Sequence, residues 1–293
     1  MHPEIKHLQN SLSNLYERNR SPVGFIDESY REDSWTDEYP FYTVTATVVA
    51  ADDIEYFRQD YVDAVGDWWH TTKMFEQKKH DDINDFISLV SEHKTEILVS
   101  VQVEIEENDI EHARRECLVQ VAARLCDLGC NLIVYERRED NPSRNADSSL
   151  FDRARSAGFL PRNLRLFAGH PRAEHLLWGP DLTGWALRRH LALGDSKWIQ
   201  PLLGQFEMID ASTGKALKTK GPQPAAAKGS GPDSFVGPMG EGKNRSSENS
   251  MARFGGIEKG LFQIFPNVIN PKHDPEALSM WLREQFPNRR KTK

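Results

Sequence analysis

An apolar run, Val23-Gly24-Phe25-Ile26, stops at two adjacent acids, Asp27 and Glu28, followed by Ser29. With Ser21-Pro22 in front and polar residues behind, so short a run reads as a buried strand. Ionised carboxylates are rarely buried unless they are paired or hold a metal. A core strand that runs into two of them therefore limits what the chain can build. Either the acids open a solvated loop, or the sheet delivers them to a cation. Alone, the pair fits the loop; further acids in matching settings downstream favour the cation.

The rest of the chain supplies neighbours for that strand. Residues 1–20 read as a polar helical leader, weakly amphipathic through Ile5, Leu8, Leu12 and Leu15. Phe41 to Ala51, rich in Tyr, Thr and Val, reads as a second strand joined to the first through a long loop. Ile54, Phe57, Tyr61 and Val65 have helical spacing and follow Asp52 and Asp53, acids suited to a helix N-terminus. A second helix is predicted from Asp81 to His93 and a third strand from Thr95 to Ile105. A long helix follows, capped by Asn108 or Asp109 and ended at Gly129. Asn131 to Tyr135 is a fourth strand that again runs into an acid, Glu136. Next come a short helix at Phe151 to Ala157 and a fifth strand at Asn163 to Ala168. A helix from Gly179 to Leu193, with Pro180 in its first turn, closes the series. The order β-β-α-α-β-α-β-α-β-α predicts an α/β architecture, a mixed five-stranded sheet flanked by helices.

At 293 residues, one large domain plus an appendage is expected, with the domain over 21–210. From 211 to 256, Gly, Pro, Ser, Ala and Lys dominate and apolar periodicity vanishes, as in a flexible linker. Residues 257–293 regain apolar residues, including Phe262, Phe265, Trp281, Leu282 and Phe286, and read as a small helical tail. The tail ends in the basic run Arg289 to Lys293, a weak salt-sensitive contact for nucleic acid. A net charge of −7 argues against a nucleic-acid coat protein but suits an enzyme whose acids gather at a metal. Cys117, Cys126 and Cys130 have neither a disulfide framework nor zinc-site spacing and read as free thiols. The N-terminus lacks a signal-peptide pattern and no run reaches membrane-spanning length, so the cytoplasm is the expected location. No Gly-x-Ser-x-Gly elbow, complete phosphate-binding Gly-x-x-x-x-Gly-Lys-Ser/Thr loop or His-Glu-x-x-His pair occurs.

Acids now stand at three element ends: Asp27 with Glu28, Glu136, and Asp181. Two-metal phosphoryl transfer needs carboxylates that converge on hard divalent cations. Mg²⁺ takes oxygen ligands and keeps waters, so dispersed acids suffice. Each acid has a structural alternative. Asp181 suits a helix N-terminus, worth up to about 1 kcal/mol, and Glu136 has Arg137 and Arg138 beside it. It is the ordered set that points to a metal.

At four places the chain resembles the DUF3800 family, whose fold is similar to ribonuclease H. Phe25-Ile26-Asp27-Glu28-Ser29 is similar to that family's opening strand, and Phe41 to Val49 to its second. Leu132-Ile133-Val134-Tyr135-Glu136 resembles its later strand ending in an acid, and Leu176 to Gly184 its closing helix. The resemblance spans residues 21–205. Tyr30 stands where the family has Gly, Glu136 where it has Asp, and Pro180 beside the last acid is atypical. The resemblance implies that Asp27, Glu136 and Asp181 ligate Mg²⁺ or Mn²⁺, with Glu28 as a fourth catalytic acid. Glu28 follows Asp27 directly, and strand neighbours point to opposite faces. The implied reaction is phosphodiester hydrolysis, one ion activating water and the other stabilising the leaving oxygen.

His70 and Lys73 lie where that family has a His- or Lys-bearing stretch. They are candidates for proton transfer or phosphate contact, against the alternative of a surface loop anchored by Trp68 and Trp69. Arg188 and Arg189, two helical turns beyond Asp181, are candidates for nucleic-acid contact. The leading expectation is thus a metal-dependent nuclease acting on nucleic acid, by analogy in a mobile-element or defence system. Its rival is a non-catalytic adaptor of the same fold, with vestigial acids and a C-terminal tail that recruits a protein partner.

Overall fold

In the computed structural model, which describes residues 2–31, 41–103, 105, 109–138, 140–219, 262–264 and 280–282, the opening apolar run lies at the centre of a mixed sheet. Strand β1 (Val23–Arg31) pairs antiparallel with β2 (Phe41–Val49), and β2 antiparallel with β3 (Glu96–Val103). On its other side β1 runs parallel to β4 (Leu132–Glu136), and β4 parallel to β5 (Arg165–Gly169). Beyond β3 the sheet continues through β6 (Phe206–Asp210), parallel to β3, and then β7 (Ala216–Thr219) and β8 (Phe262–Ile264), both antiparallel. The α/β class and the helix-flanked mixed sheet are as expected. The described residues form eight strands instead of five.

Strand side chains alternate between the faces, and each face has its own core. Val23, Phe25, Leu132, Val134 and Val99 belong to one. It is covered by helices α1 (Pro3–Glu17), α2 (Ile54–Val65), α3 (Thr71–Glu76), α4 (His80–Glu92) and α7 (Trp178–Leu193). Ile26, Ile133, Tyr135 and Leu98 belong to the other, under α5 (Ile110–Asp127) and α6 (Asn141–Ala157). Helix α7 lies directly on β1 and β2 because it presents glycines there. A Cβ on Gly184 would stand 3.1 Å from Thr45 Oγ1, and one on Gly179 2.9 Å from the Tyr61 hydroxyl.

Several boundaries differ from expectation. Helix α6 starts at Asn141, ten residues before the predicted Phe151. Its first half is polar, but Pro142 lies in the first turn and Asp140 accepts a hydrogen bond from the Ser143 N–H. Helix α3 occupies what read as a plain connection. Strand β6 was not anticipated, and β7 falls inside the predicted 211–256 linker, where four residues carry too little pattern to announce a strand. The stretch 220–256 and most of the 257–293 tail lie outside the described residues. Of the tail, Leu282 is fully buried in the α5-side core, and Trp281 packs 5.1 Å from Phe159. Cys117 and Cys130 are buried thiols; Cys126 is half-buried. No described helix is long and apolar enough to cross a membrane.

Candidate functional site

The same alternation that builds the two cores sorts the acids. Asp27 shares the parity of Val23 and Phe25, and Glu136 that of Leu132 and Val134, so both point to the α7 side. The parallel register of β1 and β4 ends at Ile26 opposite Tyr135, which leaves Asp27 and Glu136 as the next neighbours. Their carboxyl groups interact within the pocket, an interaction that favours the protonated form of Asp27. Two ionised carboxylates buried side by side repel each other, which favours a proton on Asp27.

Asp181, in the first turn of α7, completes the set. The Thr71 backbone N–H and hydroxyl both donate to its Oδ2, each at 2.8 Å, and the Trp69 indole N–H donates to Thr71 Oγ1 at 2.8 Å. Trp69 is buried and Trp68 packs at the edge of the core, so the pair does anchor this segment. Asp27, Glu136 and Asp181 line one pocket of about 260 Å³ together with Ser29, His70, Thr72, Trp178, Trp185 and Arg188. It opens near the carboxyl ends of β4 and β5, where the sheet's parallel strands leave a crevice.

This setting disfavours negative charge. Burial, then the charges of Glu136 and Asp181, push the Asp27 carboxyl well above its usual range. Burial also raises Glu136, with the charge of Asp181 adding to it. Burial raises Asp181, against the opposing pull of the two Thr71 hydrogen bonds and of His70. His70 is exposed at the rim and favours the charged forms of both Glu136 and Asp181.

The remaining predicted residues separate. Glu28 has the opposite parity, and its carboxylate is held on the α5 side. The Arg114 guanidinium donates to both its oxygens at 2.7 Å, and the Tyr42 hydroxyl donates to it as well. Arg114 also bonds Asp147 at 2.7 Å, which in turn accepts from Arg138 at 2.9 Å. Glu28 borders the acid pocket and its charge raises Glu136, but its carboxylate oxygens are taken up by this ion network. Lys73 is exposed on α3 and pairs with Glu76 at 3.0 Å; it does not line the pocket. Arg188 does line it. Arg189, about 100° further round the helix, points away, donating to Asp195 at 2.9 Å and stacking 4.2 Å from the Phe75 ring centroid. Glu136 does not pair with Arg137, which bonds Glu4 at 2.8 Å instead.

Two participants escaped the sequence reading. Thr71 orients Asp181, but a threonine after His70 carries no signal until α7 is brought against α3. Ser29, two residues beyond Asp27 on the same face, is legible from period two. Three hard oxygen donors on strand and helix ends suit Mg²⁺ or Mn²⁺ chemically. Among the described residues, no three His, Cys, Asp or Glu side chains are already gathered around one point as ion ligands. The chain matches no protein-family model and no curated protein.

Proposed function

We propose that this protein is a metal-dependent nuclease whose acid pocket, formed by Asp27, Glu136 and Asp181, hydrolyses phosphodiesters. One observation carries the reading. Three carboxylates from β1, β4 and α7 are crowded into one pocket where ionisation is costly, an arrangement that cations relieve. Divalent ions, when bound, would supply the Lewis acid for the phosphoryl oxygens. The chain's own groups have separate tasks. Thr71 fixes Asp181, His70 stands where a proton could be exchanged at the rim, and Arg188 offers a guanidinium to a substrate phosphate. The DUF3800 resemblance points the same way and is the source of the suggested mobile-element or defence setting.

The test is incubation of the full chain with single- and double-stranded DNA, RNA and hybrid substrates plus Mg²⁺ or Mn²⁺. Cleavage that falls at least about 100-fold in Asp27→Asn and Asp181→Asn is expected; no cleavage, or equal cleavage by the variants, would refute it. The adaptor reading keeps the fold and makes the acids vestigial. Its proposed recruiting tail is less favoured, because Leu282 and Trp281 are used by the chain's own core.

A further inference from the structure

A second pocket, of about 340 Å³, adjoins the acid pocket and shares Glu136 with it. Its other walls are Arg137, Arg144, His170 and Glu4. The sheet builds it. The Arg137 N–H donates to the Gly169 carbonyl at 2.9 Å, extending the β4–β5 ladder by one residue and setting Arg137 beside His170. Arg144 comes from the first turn of α6. That helix end is itself closed by Asp140, so the cationic character of the pocket rests on side chains. His170 Nδ1 accepts from the Arg172 N–H at 3.0 Å, which places the neutral ring's proton on Nε2 as a donor.

The pocket already holds an anion. Glu4, from the first turn of α1, reaches in to Arg137 at 2.8 Å. Arg137 above all, with smaller help from His2 and Arg144, holds its carboxyl below the usual range. Glu4 is the most exposed member of the set, an acid on the first turn of a terminal helix, and a surface ion pair of this kind holds it only weakly. Two guanidinium groups and an imidazole N–H suit a tetrahedral, multiply charged anion better than one carboxylate.

We infer that Arg137, Arg144 and His170 form a phosphate subsite next to the acid pocket, that it receives a backbone phosphate of a polynucleotide strand, and that Glu4 occupies it in the free protein. The choice of a strand rests on the nuclease reading; the subsite itself does not. A strand held here would lie across Glu136, bringing a neighbouring phosphodiester to Asp27 and Asp181.

The experiment is calorimetric titration of the full chain with orthophosphate in EDTA, repeated with a short single-stranded oligonucleotide as competitor. Glu4→Gln should tighten orthophosphate binding at least threefold, and Arg144→Gln should weaken it about tenfold, the loss expected for one charge-assisted contact. The oligonucleotide should displace orthophosphate. If neither substitution changes orthophosphate affinity, in variants whose melting temperatures match the parent, the subsite is refuted. Orthophosphate binding that responds to both substitutions but resists the oligonucleotide would overturn the strand as ligand and assign free phosphate. No cleavage occurs in EDTA, so a protein inactive as a nuclease still decides the question.

Discussion

Asp27 and Glu136 occupy adjacent positions on two parallel strands, one step beyond the last registered pair, and burial raises both carboxyls. The folded protein therefore holds protons in this pocket up to a higher pH than the unfolded chain does. With more protons bound in the native state, stability falls as pH rises. The decline starts near pH 4, the ordinary carboxyl value, and continues through the raised folded value. Melting in EDTA between pH 5 and pH 8 should show this slope in the parent, and Asp27→Asn should flatten it. At pH 8 the substitution should raise the melting temperature by roughly 2–4 °C per kcal/mol of relieved repulsion. Parallel slopes in the two proteins would contradict the raised Asp27 carboxyl.

Divalent ions should act in the opposite sense to that repulsion. Mn²⁺ at about 100 times its dissociation constant stabilises a one-site protein by ~2.7 kcal/mol. The parent should therefore melt several degrees higher with Mn²⁺ than in EDTA, and Asp27→Asn should gain little. An equal gain in both proteins would place the ion elsewhere.

Thr71 couples the buried Trp69 indole to Asp181. Thr71→Val leaves the indole N–H without its acceptor and Asp181 with one donor fewer, a loss of about 1–3 kcal/mol. Thr71→Ser keeps the hydroxyl and should restore most of it. Chemical denaturation of both variants checks this, and equal stability would argue that the relay is incidental.

Helix α7 packs closely against Tyr61 of α2 at Gly179, two residues before Asp181. In Gly179→Ala the new methyl would meet the Tyr61 hydroxyl at 2.9 Å, costing about 1–3 kcal/mol and shifting the helix. Adding Tyr61→Phe removes the obstructing oxygen and should recover part of the loss. A double-mutant cycle with no coupling would place the cost elsewhere.

Arg114 compensates Glu28 on the α5 side, and its guanidinium is almost wholly buried. Arg114→Met should destabilise the fold by roughly 3–5 kcal/mol, the cost of leaving buried charge unpaired. Lys73→Ala, which breaks only an exposed pair with Glu76, should cost less than about 1 kcal/mol. Urea midpoints compare them directly.

Hydrophobic period and terminating residues act locally, so they announce the strands that run into acids, the helix ended at Gly129 and the leader helix. Period two also implies that Asp27 and Glu28 part company. Where each goes depends on packing between distant segments: Glu28 to Arg114, Asp27 to Glu136 and Asp181. Strand order, α7's seat on its glycines and the Arg137–Glu4 contact join residues that lie far apart along the chain, and no local propensity encodes such distances. The extension through β6 and β7 escaped for a related reason. Short, weakly patterned segments become strands when a neighbouring edge supplies their hydrogen bonds, and that edge exists only once the sheet has formed.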